Sequence, residues 1–351
     1  MSTSHILDFL KYTPSKDTSH ATEETTFVFL GPSRSGKSTL RKLLSSSSSS
    51  IRELKPTIGI DYQVTTSTNV SSTRVNHLYE IALDLTSPSS LTTLLKYLAI
   101  VITTDNLPSV HIALTISLAE VPHSLLHLVR MLHVIKHHVS SLMQHSKCQP
   151  LINSWYTESP SNIDSTFYCG IPIFLIATHF FSFDNITGLS RRSFVRSLRY
   201  VAHTHGCSLF FTDVEGAREA QVTRVVKIFK SICFGREVRF QSLLVDDNSA
   251  VSVFAGSDSL DLIGHVPQSK TRPSFVSKEL SPFGITNQKL IDWVIYSVSN
   301  FNEFKATFIQ SIDNGEEKEQ EESELTKIYF DELEVAQYCA KELERQKEFF
   351  V

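Results

Sequence analysis

An α/β fold, a mostly parallel sheet wrapped by helices with a C-terminal helical extension, is what this 351-residue sequence predicts. Three observations carry that prediction. Strand-like and helix-like segments alternate from residue 26 to about 240. One early pair of strands is joined closely enough to form a hairpin. The glycine-rich octapeptide Gly31–Ser38, GPSRSGKS, stands between the first strand and the first helix.

Residues 1–25 mix Ser, Thr, His, Asp and Lys and read as a flexible N-terminal arm. Thr26–Leu30 (TFVFL) is β-prone and ends at Gly31, which predicts a buried strand. Lys37–Leu44 carries Leu40, Leu43 and Leu44 at helical spacing, and the serines Ser45–Ser50 follow as a low-complexity loop. Ile58–Thr66 and Val75–Asp84 are strand-like, and the Ser/Thr/Asn-rich link between them predicts the hairpin. Val110–Leu118 is a further strand, followed by a helix from about His123 to His145 and a polar loop from Ser146 to Ser165. Ile171–Ala177 (IPIFLIA) and Cys207–Thr212 read as buried strands. Between and after them, Ser190–His205 and Gly216–Phe234 read as helices. The domain therefore spans 26–240. A packed extension, 241–312, holds a short strand at Val251–Ala255 and a helix at Thr286–Phe304. Asp313, Asn314 and Gly315 then break the chain before an acidic amphipathic helical tail, 313–351.

Composition narrows the function. Thirty-three basic against 37 acidic side chains give a net charge of −4, without the surplus of Lys and Arg that a nucleic-acid binder uses to displace counterions. The charge is uneven: Glu316–Glu348 holds 12 acidic and five basic residues, so an acidic tail hangs on a mildly basic body. Five dispersed cysteines with no C-x-x-C pair point to a reducing compartment. No stretch approaches the ~20 apolar residues that cross a bilayer, and no prenylation cysteine ends the chain. The expectation is a soluble intracellular protein with no direct membrane insertion.

GPSRSGKS matches G-x-x-x-x-G-K-[ST] in the strand–loop–helix context that the mechanism needs. In such a loop the backbone N–H groups around Ser33, Arg34, Ser35 and Gly36 turn inward on phosphate oxygens, and the helix N-terminus adds partial positive charge. Lys37 reaches the β- and γ-phosphates, and the Ser38 hydroxyl ligates Mg²⁺. The nucleotide-binding set is thus Gly31, Ser33, Arg34, Ser35, Gly36, Lys37, Ser38 and Thr39. Lys55–Tyr62 (KPTIGIDY) is similar to the switch I region of small GTPases, where a Thr before the second strand completes the Mg²⁺ shell; here that is Thr57. The expected cofactor is a guanine or adenine nucleotide with Mg²⁺, bound by a Ras-like P-loop NTPase domain.

Two parts of a working GTPase are altered. The third strand should end in D-x-x-G, but Glu80 is followed by Leu83 and Asp84 by Ser87 where the glycine belongs. After IPIFLIA a guanine site needs N-K-x-D. This chain has Thr178, His179, Phe180 and Phe181, and a Phe accepts no hydrogen bonds from the base; Asp184 falls three residues later. No catalytic residue is assigned, and hydrolysis is not expected.

Other patterns have blander readings. Six histidines between His123 and His145 include i, i+4 pairs suited to a metal, but their apolar neighbours Leu126, Leu132, Val134 and Ile135 read as core. Arg191, Arg192, Arg196 and Arg199 read as the solvated face of an amphipathic helix. In the tail, Leu325, Tyr329, Leu333, Ala336, Ala340 and Leu343 form an apolar stripe at helical spacing, which favours docking on a partner or on the protein's own body.

The phosphate loop, KPTIGIDY, the missing glycine, LRYVAHTHGCSLFFTD (198–213), AGSDSLDLIG (255–264) and the tail YFDELEVAQYCAKELERQKE together resemble the dynein light intermediate chain family. The resemblance covers residues 26–265 and recurs in the Trp293 helix and the tail. The modest length is similar to that of the cytoplasmic dynein 2 branch, which serves retrograde intraflagellar transport. The resemblance implies a Ras-like body that grips the dynein 2 heavy chain beside the other dynein 2 subunits. It implies indirect links to intraflagellar transport particles and microtubules. The expected locations are the cytoplasm, the cytoskeleton, the cilium or flagellum and its basal body. A Rab-like switch in membrane or ciliary trafficking is the alternative that KPTIGIDY keeps open.

Overall fold

The computed structural model describes residues 22–45, 59–68, 73–83, 88–146, 168–183, 186, 188–213, 219–233, 251–266, 276, 280–281 and 284–299. Among them, seven strands form one sheet: β1 (Thr22–Gly31), β2 (Gly59–Thr68), β3 (Thr73–Ala82), β4 (Val110–Ser117), β5 (Ile173–Thr178), β6 (Ser208–Phe211) and β7 (Ser252–Val253). Their order is β2-β3-β1-β4-β5-β6-β7. The five inner strands are parallel, while β2 and β7 close the two edges antiparallel to β3 and β6.

Six helices longer than a single turn accompany the sheet: α1 (Lys37–Ser45), α2 (Pro88–Val101), α3 (Val121–Ser146), α4 (Gly188–His205), α5 (Glu219–Cys233) and α6 (Gln288–Ser299). Alternation along β1 divides the core. Phe27 and Phe29 join Leu40 of α1 and Val225, Ile228 and Phe229 of α5; Val28 and Leu30 join the layer built from α2, α3, α4 and α6. Every residue of β4, β5 and β6 is buried, as a parallel sheet covered on both faces requires. The α5 side is filled with rings. Phe229 lies 5.4 Å from Phe27 and 5.2 Å from Phe174, centroid to centroid.

The structure corrects several expectations. Residues 22–25, expected in the polar arm, are the start of β1, because Thr22–Thr25 pair with Thr73–Asn76 and lengthen the ladder. Helix α2 was not expected, although Pro88 in its first turn and Leu94, Leu95 and Leu98 at helical spacing signal it. The sheet continues beyond residue 240, where β7 pairs with β6. The arginine face of α4 is not a solvated stripe. Residues 251–266 pack over it and supply acceptors: Arg199 makes a buried two-point pair with Asp258 at 2.7 and 2.8 Å, and Arg196 donates to the Ile263 carbonyl at 2.7 Å. Arg192 stays exposed. Ser146 of the expected loop ends α3, and residues 147–165 and the tail from 313 lie outside the described residues.

His111 and His138 serve packing. His111 stacks on Phe27 at 5.1 Å with its Nδ1 3.1 Å from the Ser109 carbonyl, and His138 places Nε2 3.1 Å from the Ile102 carbonyl. Burial pushes the pKa of His111 down to about 4, and burial with His137 and Lys136 nearby does the same to His133. No group of three or more metal-ligand side chains occurs among the described residues. An imidazole with a depressed folded pKa stays neutral in the fold while the unfolded chain takes up a proton. Stability therefore falls as pH drops from about 6.5 toward 4, by up to ~1.4 kcal/mol per pH unit for each such group. Urea unfolding at pH 7, 5.5 and 4.5 is expected to show this decline, with a shallower slope in His111→Gln; equal slopes contradict it.

Candidate functional site

Gly31 ends β1 and opens the phosphate loop at the C-terminal edge of the sheet, where open parallel sheets bind ligands. A Cβ at Gly31 would lie 2.3 Å from the Thr115 carbonyl oxygen and 2.5 Å from its Oγ1, so only glycine lets the chain turn against β4. Gly36, at φ 81°, takes the left-handed turn that feeds α1, and the Leu40 N–H closes the first helical bond on the Gly36 carbonyl at 3.1 Å. Arg34 also adopts a positive φ, 58°. Its side chain is exposed at the loop tip, and so is that of Ser33.

A chain of hydroxyls fixes the loop from beneath. Lys37 Nζ lies 2.5 Å from the Pro32 carbonyl and 3.3 Å from Ser35 Oγ. Ser35 and Thr115 share a hydrogen bond at 2.6 Å, and Thr115 donates to the Leu30 carbonyl at 3.3 Å. The direction is thus ammonium to Ser35 to Thr115 to backbone. From β5, the Thr178 hydroxyl lies 3.1 Å from the carbonyls of both Ser35 and Ile116. Ser35 and Thr178 are fully buried and Lys37 is 3% exposed. The lysine is therefore a desolvated cation held inside the loop, where an anion's attraction is strong.

The Ser38 hydroxyl donates to Oε1 of Glu80 at 2.5 Å, which leaves its oxygen lone pairs uncommitted by that bond. Glu80 comes from the middle of β3 and is 1% exposed. Its other oxygen, Oε2, makes an ion contact with Arg41 Nε at 3.0 Å, off the line of a hydrogen bond, and Arg41 also pairs with Asp61 of β2. Glu80 and Asp61 are cross-strand partners, which is why one guanidinium reaches both. Thr57, Asp84, Ser87 and Asp184 lie outside the described residues.

After β5 the chain does not build a guanine clamp from Thr178–Phe181. His179 sits at φ 59° with Nδ1 3.0 Å from the hydroxyls of both Ser117 and Thr178. Phe180 turns into the core against Phe183 and Phe211, and Phe181 is left 66% exposed. No carboxylate stands at any of these four positions.

The structure thus brings Gly31, Ser35, Gly36, Lys37 and Ser38 into one loop on α1. Thr115, Thr178 and Arg41 were not singled out from the sequence as site residues; the first two bond to Ser35 of the loop, and Arg41 contacts Glu80, the acceptor of the Ser38 hydroxyl. Thr115 was findable as the polar residue inside the apolar strand VHIALTISL, whereas Arg41 gives no local signal.

The crystal structure of the dynein light intermediate chain's conserved domain superposes with a TM-score of 0.50 over 80% of this chain and 98% of that one, at 14% identity. At that identity the likeness shows the shared fold alone. Cytoplasmic dynein 2 light intermediate chain 1 of Mus musculus is 26% identical over 256 residues, 70% of this chain and 69% of its own length. Over most of its length the chain is similar to cytoplasmic dynein 2 light intermediate chains. The Rattus norvegicus protein gives the same identity over 257 residues, and the Bos taurus protein reaches 32% over a shorter stretch of 97. No family model matches the chain. This homology supports a role as a dynein subunit.

Replacing Thr178 by the near-isosteric Val removes the hydroxyl that lies between the Ser35 and Ile116 carbonyls and unties the loop from β5 at that point. A loss of about 1–3 kcal/mol in denaturant unfolding is expected, and a change below about 0.5 kcal/mol contradicts the anchoring role.

Proposed function

We propose that this chain is a non-catalytic subunit of the cytoplasmic dynein 2 motor that binds and stabilises the dynein heavy chain for retrograde intraflagellar transport and cilium assembly. The observation that carries the reading is homology to dynein 2 light intermediate chains along 70% of the chain, on a body whose phosphate loop is anchored but whose base-reading carboxylate is replaced. The exposed Phe181 can stack on a base but cannot select guanine. A nucleoside di- or triphosphate, guanine or adenine, is the ligand that the loop suits. In this reading it supports the fold of the body rather than driving a cycle, and the protein is not an enzyme. Its partners are the dynein 2 heavy chain and the other dynein 2 subunits, with transport particles and microtubules reached through them. It works in the cytoplasm and cilium, at the basal body and on the cytoskeleton.

The heavy chain is held by two linked surfaces, the Ras-like body and the acidic tail with its apolar stripe. Linkage raises affinity through effective concentration, so removing one surface weakens the assembly without abolishing it. In affinity purification from ciliated cells, full-length protein is expected to recover dynein heavy chain, and deletion of Glu316–Val351 to recover less. A full-length protein that brings down no heavy chain contradicts the assignment and favours the Rab-like switch.

The phosphate loop has its own test. Lys37→Ala removes the buried ammonium and is expected to weaken nucleotide binding by about 1.5–3 kcal/mol in calorimetry. Equal affinity in wild type and variant contradicts the placement of the phosphates beside Lys37.

A further inference from the structure

A phosphate loop is ordinarily paired with Mg²⁺, and the described residues around Ser38 do not fit that metal. Glu80 is the described carboxylate beside the Ser38 hydroxyl, and its charge is already answered by Arg41, one helical turn further along α1. Among the described side chains in contact here, Lys37 and Arg41 stand against buried Glu80 and half-exposed Asp61, so these four carry no net charge between them. A divalent ion on the Ser38 oxygen would sit close to the guanidinium, and in a partly buried site that repulsion is poorly screened. The phosphates meet no such conflict, because the loop offers them the helix N-terminus and the Lys37 ammonium.

We propose that this chain binds nucleotide phosphates without Mg²⁺, with Arg41 holding Glu80 neutralised so that no metal is recruited to Ser38. The inference rests on the nucleotide reading above and adds to it the way the site is charged. It also accounts for the ladder placement of Asp61 opposite Glu80. That pairing gives Arg41 a second carboxylate on β2 and holds the guanidinium over the first strands rather than in solvent, where it is 13% exposed.

The test measures the affinity of the full-length protein for fluorescent GDP and ADP analogues, with excess Mg²⁺ and with EDTA. Wild type is expected to change by less than about fivefold between the two buffers. Arg41→Gln uncovers the Glu80 charge and is expected to bind about tenfold or more tightly with Mg²⁺ than with EDTA, while Arg41→Lys, which keeps the cation, stays indifferent. Melting curves confirm that each variant is folded, and the wild-type comparison stands without them. Wild-type affinity that rises tenfold or more with Mg²⁺ overturns the inference and leaves the nucleotide reading intact. A folded Arg41→Gln that stays indifferent overturns the part given to Arg41. No binding of either probe in either buffer overturns the nucleotide reading, and this inference with it.

Discussion

The hydroxyl network under Ser35 is the constraint from which the rest of the site follows. A loop that turns eight residues between a strand and a helix leaves backbone donors pointing at its own centre, and it keeps that shape only if its floor is tied down. Here the floor is tied to two neighbouring strands at once, by Thr115 of β4 and Thr178 of β5. Gly31 permits the approach, because any side chain there would strike Thr115. Parallel pairing of β1, β4 and β5 brings those strand ends level, so the sheet topology and the loop shape are one requirement.

Much of the fold was legible because the β-periodic and helical segments are long and bounded by turn residues. The hairpin β2–β3, the buried strands β4 and β5 and helix α3 fall close to where the pattern put them. The misses have physical causes. Helix α2 follows a Ser/Thr-rich stretch that hides its apolar spacing, and Thr22–Thr25 are polar residues drawn into β1 by the length of β3. The arginines of α4 looked solvated because nothing local reveals that Asp258, 59 residues away, comes to meet Arg199. In the site, the loop itself was read from GPSRSGKS, whereas its supports were not, since Arg41, Glu80 and Asp61 meet only through the β2–β3 register.

The described residues keep the lysine of the loop and lose the carboxylate after β5. Lys37 and Ser35 are buried within an intact loop, but the chain after β5 spends Phe180 on the core and exposes Phe181 where a base-reading carboxylate would stand. Ser38 is bonded to a glutamate from within a strand rather than to the head of a mobile switch. Such a body is suited to a fixed shape, as the proposed role requires. Homology to light intermediate chains of dynein 2 points the same way.

The claim that this body binds without turning over is tested most directly by a single-turnover assay on the purified full-length chain with GTP and with ATP. The account predicts no product above the uncatalysed background for either nucleotide and a preference between them below ~100-fold. Hydrolysis approaching the ~5–20 s⁻¹ of an assisted GTPase, or a GTP preference beyond that limit, would contradict it.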